Sequence, residues 1–446
     1  MTRTYLASWW LLCLAACDPS QSALRPQDVQ AQVSDRMATV VHVRWTTEEP
    51  TVGTVEYGLT ASRGQRTPTE ATPTRMHERT LLGLKQDTDY HYRVVTHAEG
   101  ATVAGDSAII RTEHLPSVAP QLDVQGDGHT GFTLLPVLGA TTAVSILDAD
   151  GDVVWFHEDD RGLDVYRARL SVDGRSLLYN AASVVGDPEE DTELVRIALD
   201  GSSSSAIAVP LLAHDFVEHP DGTLAAIVVE YRDFEGAPLR GDSIVEIDAD
   251  GVLRTVWSAW DCFDPSEVTG DAIEHGWTFA NALDFDPDED VYYLGMRNFS
   301  SIAKIDRGSG RCEWVLGSHG ATLAFASGSG RFLHQHQFEV HGDHVIVMDN
   351  DGLPGADSRV IEYALDLERG IATEVWSYVS DPPVYTFVLG EPTRLPGGDT
   401  FISWSAAGQL ERVNADGESI WKANSKLGYA FGFHTLADAL YPSRDP

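Results

Sequence analysis

Six segments of the chain share one pattern: a strand, a polar turn and a second strand that is often closed by Trp. They are Ile146-Leu147-Asp148-Ala149-Asp150-Gly151 to Trp155, Ile197-Ala198-Leu199-Asp200-Gly201, and Ile247-Asp248-Ala249-Asp250-Gly251 to Trp257. The series continues with Ile305-Asp306-Arg307-Gly308 to Trp314, Tyr363-Ala364-Leu365-Asp366 to Trp376, and Val413-Asn414-Ala415-Asp416-Gly417 to Trp421. Their spacing of about 45 to 60 residues is that of a four-stranded sheet which buries its faces against copies of itself, arranged radially. The expected fold class is therefore all-β, with a six-bladed β-propeller over residues 116–446. The Asp-x-Asp-Gly turns share their spacing with the start of an EF-hand loop, but none has the distal Glu and flanking helices that loop needs. Asp-Gly is also ordinary hairpin chemistry, because both residues tolerate positive φ, and the turns are read that way.

Residues 24–115 show a different arrangement, short alternating strands such as Val40-Val41-His42-Val43-Arg44-Trp45 and Gly53-Thr54-Val55-Glu56-Tyr57-Gly58. Alternation of this kind marks half-buried strands. The stretch Leu82-Gly83-Leu84-Lys85-Gln86-Asp87-Thr88-Asp89-Tyr90-His91-Tyr92-Arg93-Val94 resembles part of a fibronectin type III domain, a β-sandwich in which a tyrosine hydroxyl bonds back to the preceding corner.

Residues 1–23 read as a signal peptide and tether: Arg3 is followed by an apolar run, Leu6 to Ala16, too short to span a bilayer. The run ends in Leu14-Ala15-Ala16-Cys17, similar to the lipobox of bacterial lipoproteins, whose cysteine is acylated. The expectation is a protein on the periplasmic side of the cell envelope, touching membrane only through a lipid on Cys17. Beyond the signal, Cys262 and Cys312 are the remaining cysteines, and in an oxidising compartment they are expected to form a disulfide. No CxxC or Cys/His cluster has zinc spacing, so no metal is expected. The formal net charge of −37 repels polyanions and argues against nucleic acid as a partner. An anion site in such a chain has to be a local exception built from a few Arg and His residues.

Several histidines fall at the start of successive repeats, where a blade's innermost strand faces the central channel. His214 lies in Ala213-His214-Asp215-Phe216, His275 precedes Gly276-Trp277-Thr278-Phe279-Ala280-Asn281, and His334 and His336 lie in Phe332-Leu333-His334-Gln335-His336-Gln337. A lone histidine on a strand is ordinarily structural; several at matching positions of different repeats point to a site at the channel mouth. At these residues the chain resembles the arylsulfotransferases that work without a nucleotide sulfate donor. The likeness runs through His214-Asp215 with Pro220-Asp221-Gly222, then Trp277 to Asn281 with Arg297-Asn298 and Trp314-Val315-Leu316-Gly317. It ends in Gln335-His336 with Met348-Asp349-Asn350-Asp351-Gly352 and Ser358-Arg359.

The resemblance implies transfer of a sulfuryl group from a small phenolic sulfate to a phenol through a sulfo-histidine, without a cofactor, and a homodimer is compatible with it. It implies His336 as nucleophile, His214 and Arg297 on the sulfuryl oxygens, and Asn281, Phe279 and Arg359 among the substrate-binding residues. Two positions depart from the family's D-W-x-H-x-N: Gly276 replaces the Asp and Phe279 replaces the His. Phenylalanine offers neither a hydrogen bond nor a proton. The alternative reading is therefore a catalytically degenerate propeller that binds an anionic or aromatic ligand in its channel, and hydrolysis of an ester or glycan at the same mouth is a third.

Overall fold

A computed structural model of the chain describes residues 19–98, 100–127, 129–183, 191–267, 276–350 and 357–441. Cys17, the apolar run before it and His275 lie outside the described residues. Each repeat forms one sheet, antiparallel but for the short parallel strand Ala324–Phe325 on the fifth, and the six sheets are the blades of a propeller. The turns that define the repeat join the outer strands of each blade, and Trp155, Trp257, Trp314, Trp376 and Trp421 sit on the strand that follows the turn in their own repeats. Strands inside a blade are buried on both faces and read as unbroken apolar runs, as in Leu224-Ala225-Ala226-Ile227-Val228-Val229.

The hairpin reading of the acidic turns holds. Asp148 Oδ1 accepts from the amides of Asp150 (3.0 Å) and Asp152 (2.9 Å), and Asn414 Oδ1 accepts from those of Asp416 (3.1 Å) and Glu418 (2.9 Å). Gly151, at φ 81, takes the left-handed corner such a turn needs.

Both ends of the propeller sequence serve as closures. Leu122–Gly126 adds an outermost strand to the last blade, while Ala430–Phe431 and Thr435–Ala437 supply the inner edge of the first. Upstream, seven strands form one curled sheet. The 18-residue strand Val41–Gly58 pairs with Thr74–Leu81 through its first half and with Asp89–Ala98 through its second, and so folds the sheet around Val43, Trp45, Val55, Tyr57 and Tyr92. Tyr90 Oη accepts from the Lys85 amide at 2.8 Å, the back-bond expected at that corner. This domain docks on the propeller through the Tyr441 hydroxyl, 3.0 Å from that of Tyr57, and through Lys85 Nζ, 2.6 Å from both Asp150 and Asp152.

Cys262 and Cys312 were expected to be bonded; the structure brings them together as two free cysteines. A hydrogen bond between the two sulfurs, with Trp257 Nε1 donating to Cys262 Sγ at 3.2 Å, pulls the Cys262 thiol down to about 6 and pushes Cys312 up. Limiting iodoacetamide at neutral pH is expected to label Cys262 before Cys312, read by peptide mass spectrometry.

The innermost strands converge on Arg167, which is 1% exposed. Its Nε donates to Asp215 Oδ1 at 3.0 Å, Nη1 to Glu391 Oε2 at 3.0 Å and to the His434 carbonyl at 2.7 Å, and Nη2 to Glu391 Oε1 at 3.0 Å. Arg167→Met removes the buried cation that joins two buried carboxylates, and is expected to destabilise the propeller by about 3–5 kcal/mol in urea denaturation.

Candidate active site

Every innermost strand begins at the same mouth of the channel, so residues at strand starts from different blades meet there. His214 is near the start of Leu212–Glu218, Asn281 near that of Ala280–Asp286, and His336 two residues before Phe338–His341. Arg297 follows the antiparallel neighbour Val291–Met296 and returns to the same mouth, its amide donating to the Phe279 carbonyl at 3.0 Å. The strand starts thus place five of the expected residues, His214, Phe279, Asn281, Arg297 and His336, at one mouth.

His336 is 1% exposed, and its Nδ1 lies 2.9 Å from Asn350 Oδ1. Asn350 Nδ2 donates to the carbonyls of Thr386 (2.6 Å) and Leu389 (2.9 Å), which turns Oδ1 toward the imidazole. An acceptor at that position fixes the proton on Nδ1 and leaves the lone pair on Nε2. Burial, reinforced by the charge of Arg297, holds the imidazole well below its ordinary value, so it is neutral. His214 Nδ1 donates to the Ala280 carbonyl at 3.2 Å; burial and then Arg240 hold this ring down to about 3. In that neutral form His214 Nε2 is an acceptor, and no protein partner takes it among the described residues.

The donors at the mouth are two guanidiniums. Arg297 Cζ stands 5.9 Å from the Phe279 ring centroid and Arg240 Cζ 5.4 Å from it, while the His214 ring meets the same phenyl edge-on at 5.1 Å. Among the described residues no carboxylate pairs with either arginine: Arg297 donates to Asn298 Oδ1 at 3.1 Å, and Arg240 Nε is buried without a partner. In a chain of net charge −37 this is the local exception an anion requires. Phe279 adopts φ 49, unusual for a phenylalanine, and Asp242 holds it there by accepting from the Thr278 hydroxyl and, at 2.8 Å, from the Ala280 amide.

Asn281 spends its amide on the Gln335 carbonyl at 2.8 Å, which ties blade 4 to the segment carrying His336. Arg359 is not brought to the cluster. Its Nε donates to Asp349 Oδ2 at 2.8 Å and its Nη2 to the Arg331 carbonyl at 3.0 Å, a brace on the flank of blade 5. His219, five residues after His214, stacks on Phe285 at 3.9 Å and bonds the Tyr292 hydroxyl, a packed structural histidine. Arg240 and Asp242 escaped the sequence reading because they lie on the hairpin Leu224–Phe234 and Ala237–Ile247, outside every matched motif.

Fold and mouth together define a six-bladed propeller whose channel sets a neutral imidazole beside guanidiniums that no carboxylate pairs among the described residues. Residues 120–430 match the family described as Arylsulfotransferase (ASST), and the chain belongs to that family. No curated protein matches the sequence. Among solved structures, the chain is similar to one in a nidogen/laminin complex, at 10% identity and TM-score 0.45, covering 69% of this chain and 98% of that one. It is similar also to virginiamycin B lyase from Staphylococcus aureus, at 12% identity and TM-score 0.39, covering 71% and 100%. At these values neither carries an inference about this chain.

Burial holds His336 and His434 well below the ordinary value, His214 at about 3 and His129 at about 4. The unfolded chain protonates them near pH 6.5, so their contribution to stability is complete above that pH and is lost as pH falls toward the folded-state values. In a histidine NMR titration from pH 8 to 5, these four rings are expected to keep their neutral signatures, with the Nδ1-protonated form at His336.

Proposed function

We propose that the protein moves a sulfuryl group from a phenolic sulfate ester to a phenol through a sulfo-histidine at His336. The observation that carries this reading is the bond from His336 Nδ1 to Asn350 at 2.9 Å, which commits Nε2 to nucleophilic attack, within a chain of the arylsulfotransferase family. In the first half-reaction the Nε2 lone pair attacks sulfur. The N–S bond forms as the S–O(aryl) bond breaks, and the electron pair leaves on the aryl oxide, which takes a proton from solvent. In the second, the acceptor phenol attacks the same sulfur, its proton passes by way of His214 Nε2 to solvent, and the pair of the breaking N–S bond returns to His336. Arg297 holds the sulfuryl oxygens throughout. Positioning and fixed charge do most of the work in transfers of this kind. As part of the same proposal, the protein works in the cell envelope, anchored by a lipid on Cys17.

Phe279 favours one other reading, a non-catalytic propeller that retains an anionic aromatic ligand, because the family's motif has a histidine there. Incubation with 4-nitrophenyl sulfate and a phenol separates the two. Acceptor-dependent release of nitrophenolate is expected from the parent, none from His336→Ala, and measurable turnover from His334→Ala. Asn350→Ala, which frees the tautomer, is expected to lower kcat by about tenfold or more. A folded parent that binds the ester without releasing nitrophenolate rejects the enzyme in favour of the binder.

A further inference from the structure

Building on the sulfotransferase reading, we infer that Arg240, from blade 3, supplies to the reacting ester the hydrogen-bond donor that position 279 cannot. Two departures from the family's motif meet on this one side chain. Gly276, where the motif has Asp, makes room for it: a Cβ at Gly276 would lie 2.9 Å from Arg240 Cδ and 3.0 Å from its Cγ. Phe279, where the motif has His, lies under its guanidinium at 5.4 Å. The Arg240 backbone is fixed to the same loop, its carbonyl accepting from the Trp277 amide at 2.7 Å. The guanidinium lies against a ring that also meets Arg297 and His214, forms no ion pair with a carboxylate among the described residues, and keeps a buried Nε without a hydrogen-bond partner there. His214 in its neutral form offers the cleft a lone pair, so the charged donors at the mouth are Arg240 and Arg297.

The exchange of imidazole for guanidinium has a chemical consequence. A guanidinium keeps its protons, so it steadies a departing aryl oxide by charge and hydrogen bonds but does not protonate it. The S–O bond therefore breaks with the full negative charge on the leaving oxygen, and the substrates that suit this site are sulfate esters of acidic phenols. A proton-donating partner is typically worth about 10²–10⁴ in rate, and that benefit is missing for esters of ordinary phenols.

The test uses the full chain and two separate readouts. Binding of 4-nitrophenyl sulfate is measured by calorimetry in a His336→Ala background, where the ester is not consumed; adding Arg240→Gln is expected to weaken it at least tenfold. Turnover is measured with His336 intact: Arg240→Gln is expected to lower kcat/KM by about 10²–10³, and Arg240→Lys by less, since it restores charge without the fork. The parent is expected to favour 4-nitrophenyl over phenyl sulfate by about a hundredfold, and Phe279→His to narrow that gap. Thermal midpoints confirm that each variant is folded. A folded Arg240→Gln chain that binds and turns over the ester within about threefold of its parent overturns the inference while leaving the sulfotransferase reading intact. A parent that binds the ester in an Arg240-dependent way but shows no turnover overturns that reading and leaves the anion contact standing. A parent that does not bind it overturns both.

Discussion

The buried guanidinium of Arg167 is the point on which the propeller is centred. Six sheets that fan out from an axis have to be held at the same height, and apolar packing between blades does not fix their relative slide. Arg167 does so by charge and geometry. Its fork reaches Asp215 in blade 3, Glu391 in blade 6 and the main chain of the C-terminal closure at His434, and Phe433 stacks on it at 4.9 Å. Asp215 passes the constraint on, accepting from the Leu283 amide at 3.0 Å in blade 4 and from Gln337 Nε2 at 2.7 Å in blade 5. Burial would push the Asp215 carboxyl up, but Arg167 and Arg169 beside it hold it below its ordinary value. The charges that register the blades are therefore committed to one another, which separates them from those at the mouth.

That division explains how an acidic protein keeps a cleft for an anion. Arg167, Arg169, Arg196 and Arg307 are each neutralised by a carboxylate. Arg240 and Arg297 instead spend their faces on Phe279, and a phenyl ring screens a cation from water without cancelling its charge. The strained φ at position 279 is the local cost of that placement, carried by Asp242 and its two hydrogen bonds.

Much of this was legible in the chain. The six blades follow from turn chemistry that is local, since Asp148 and Asn414 build the same corner from neighbouring residues wherever it recurs. His214, Asn281, Arg297 and His336 could be placed together because each begins or ends a strand at a fixed point of its repeat. Arg240 could not. The hairpin that carries it is built from two strands of 11 residues, and the pairing of Tyr231 with Arg240 continues past the point where other blades turn. Its reach over the mouth depends on that extra length and on the missing side chain at Gly276, two facts that belong to different repeats. The place of Arg359 was hidden for a similar reason: its neighbour across the strand pair is Asp349, and the two form an ion pair on the blade's flank.

The double closure of the ring also sets an order of events during biogenesis. The inner edge of the first blade has no partner until Ala430–Phe431 and Thr435–Ala437 have been made, although its outer strands are among the earliest propeller segments to leave the ribosome. Phe433, which caps Arg167 and lies 6.3 Å from the His336 ring, arrives with those same last residues. A nascent chain thus carries an open sheet edge and an unfinished axis until Ala430–Phe431 and Thr435–Ala437 have been added to the first blade. Quality control in such a molecule is intrinsic: a chain cut before Ala430 lacks the inner edge of its first blade and the contacts of Phe433 and His434 with Arg167.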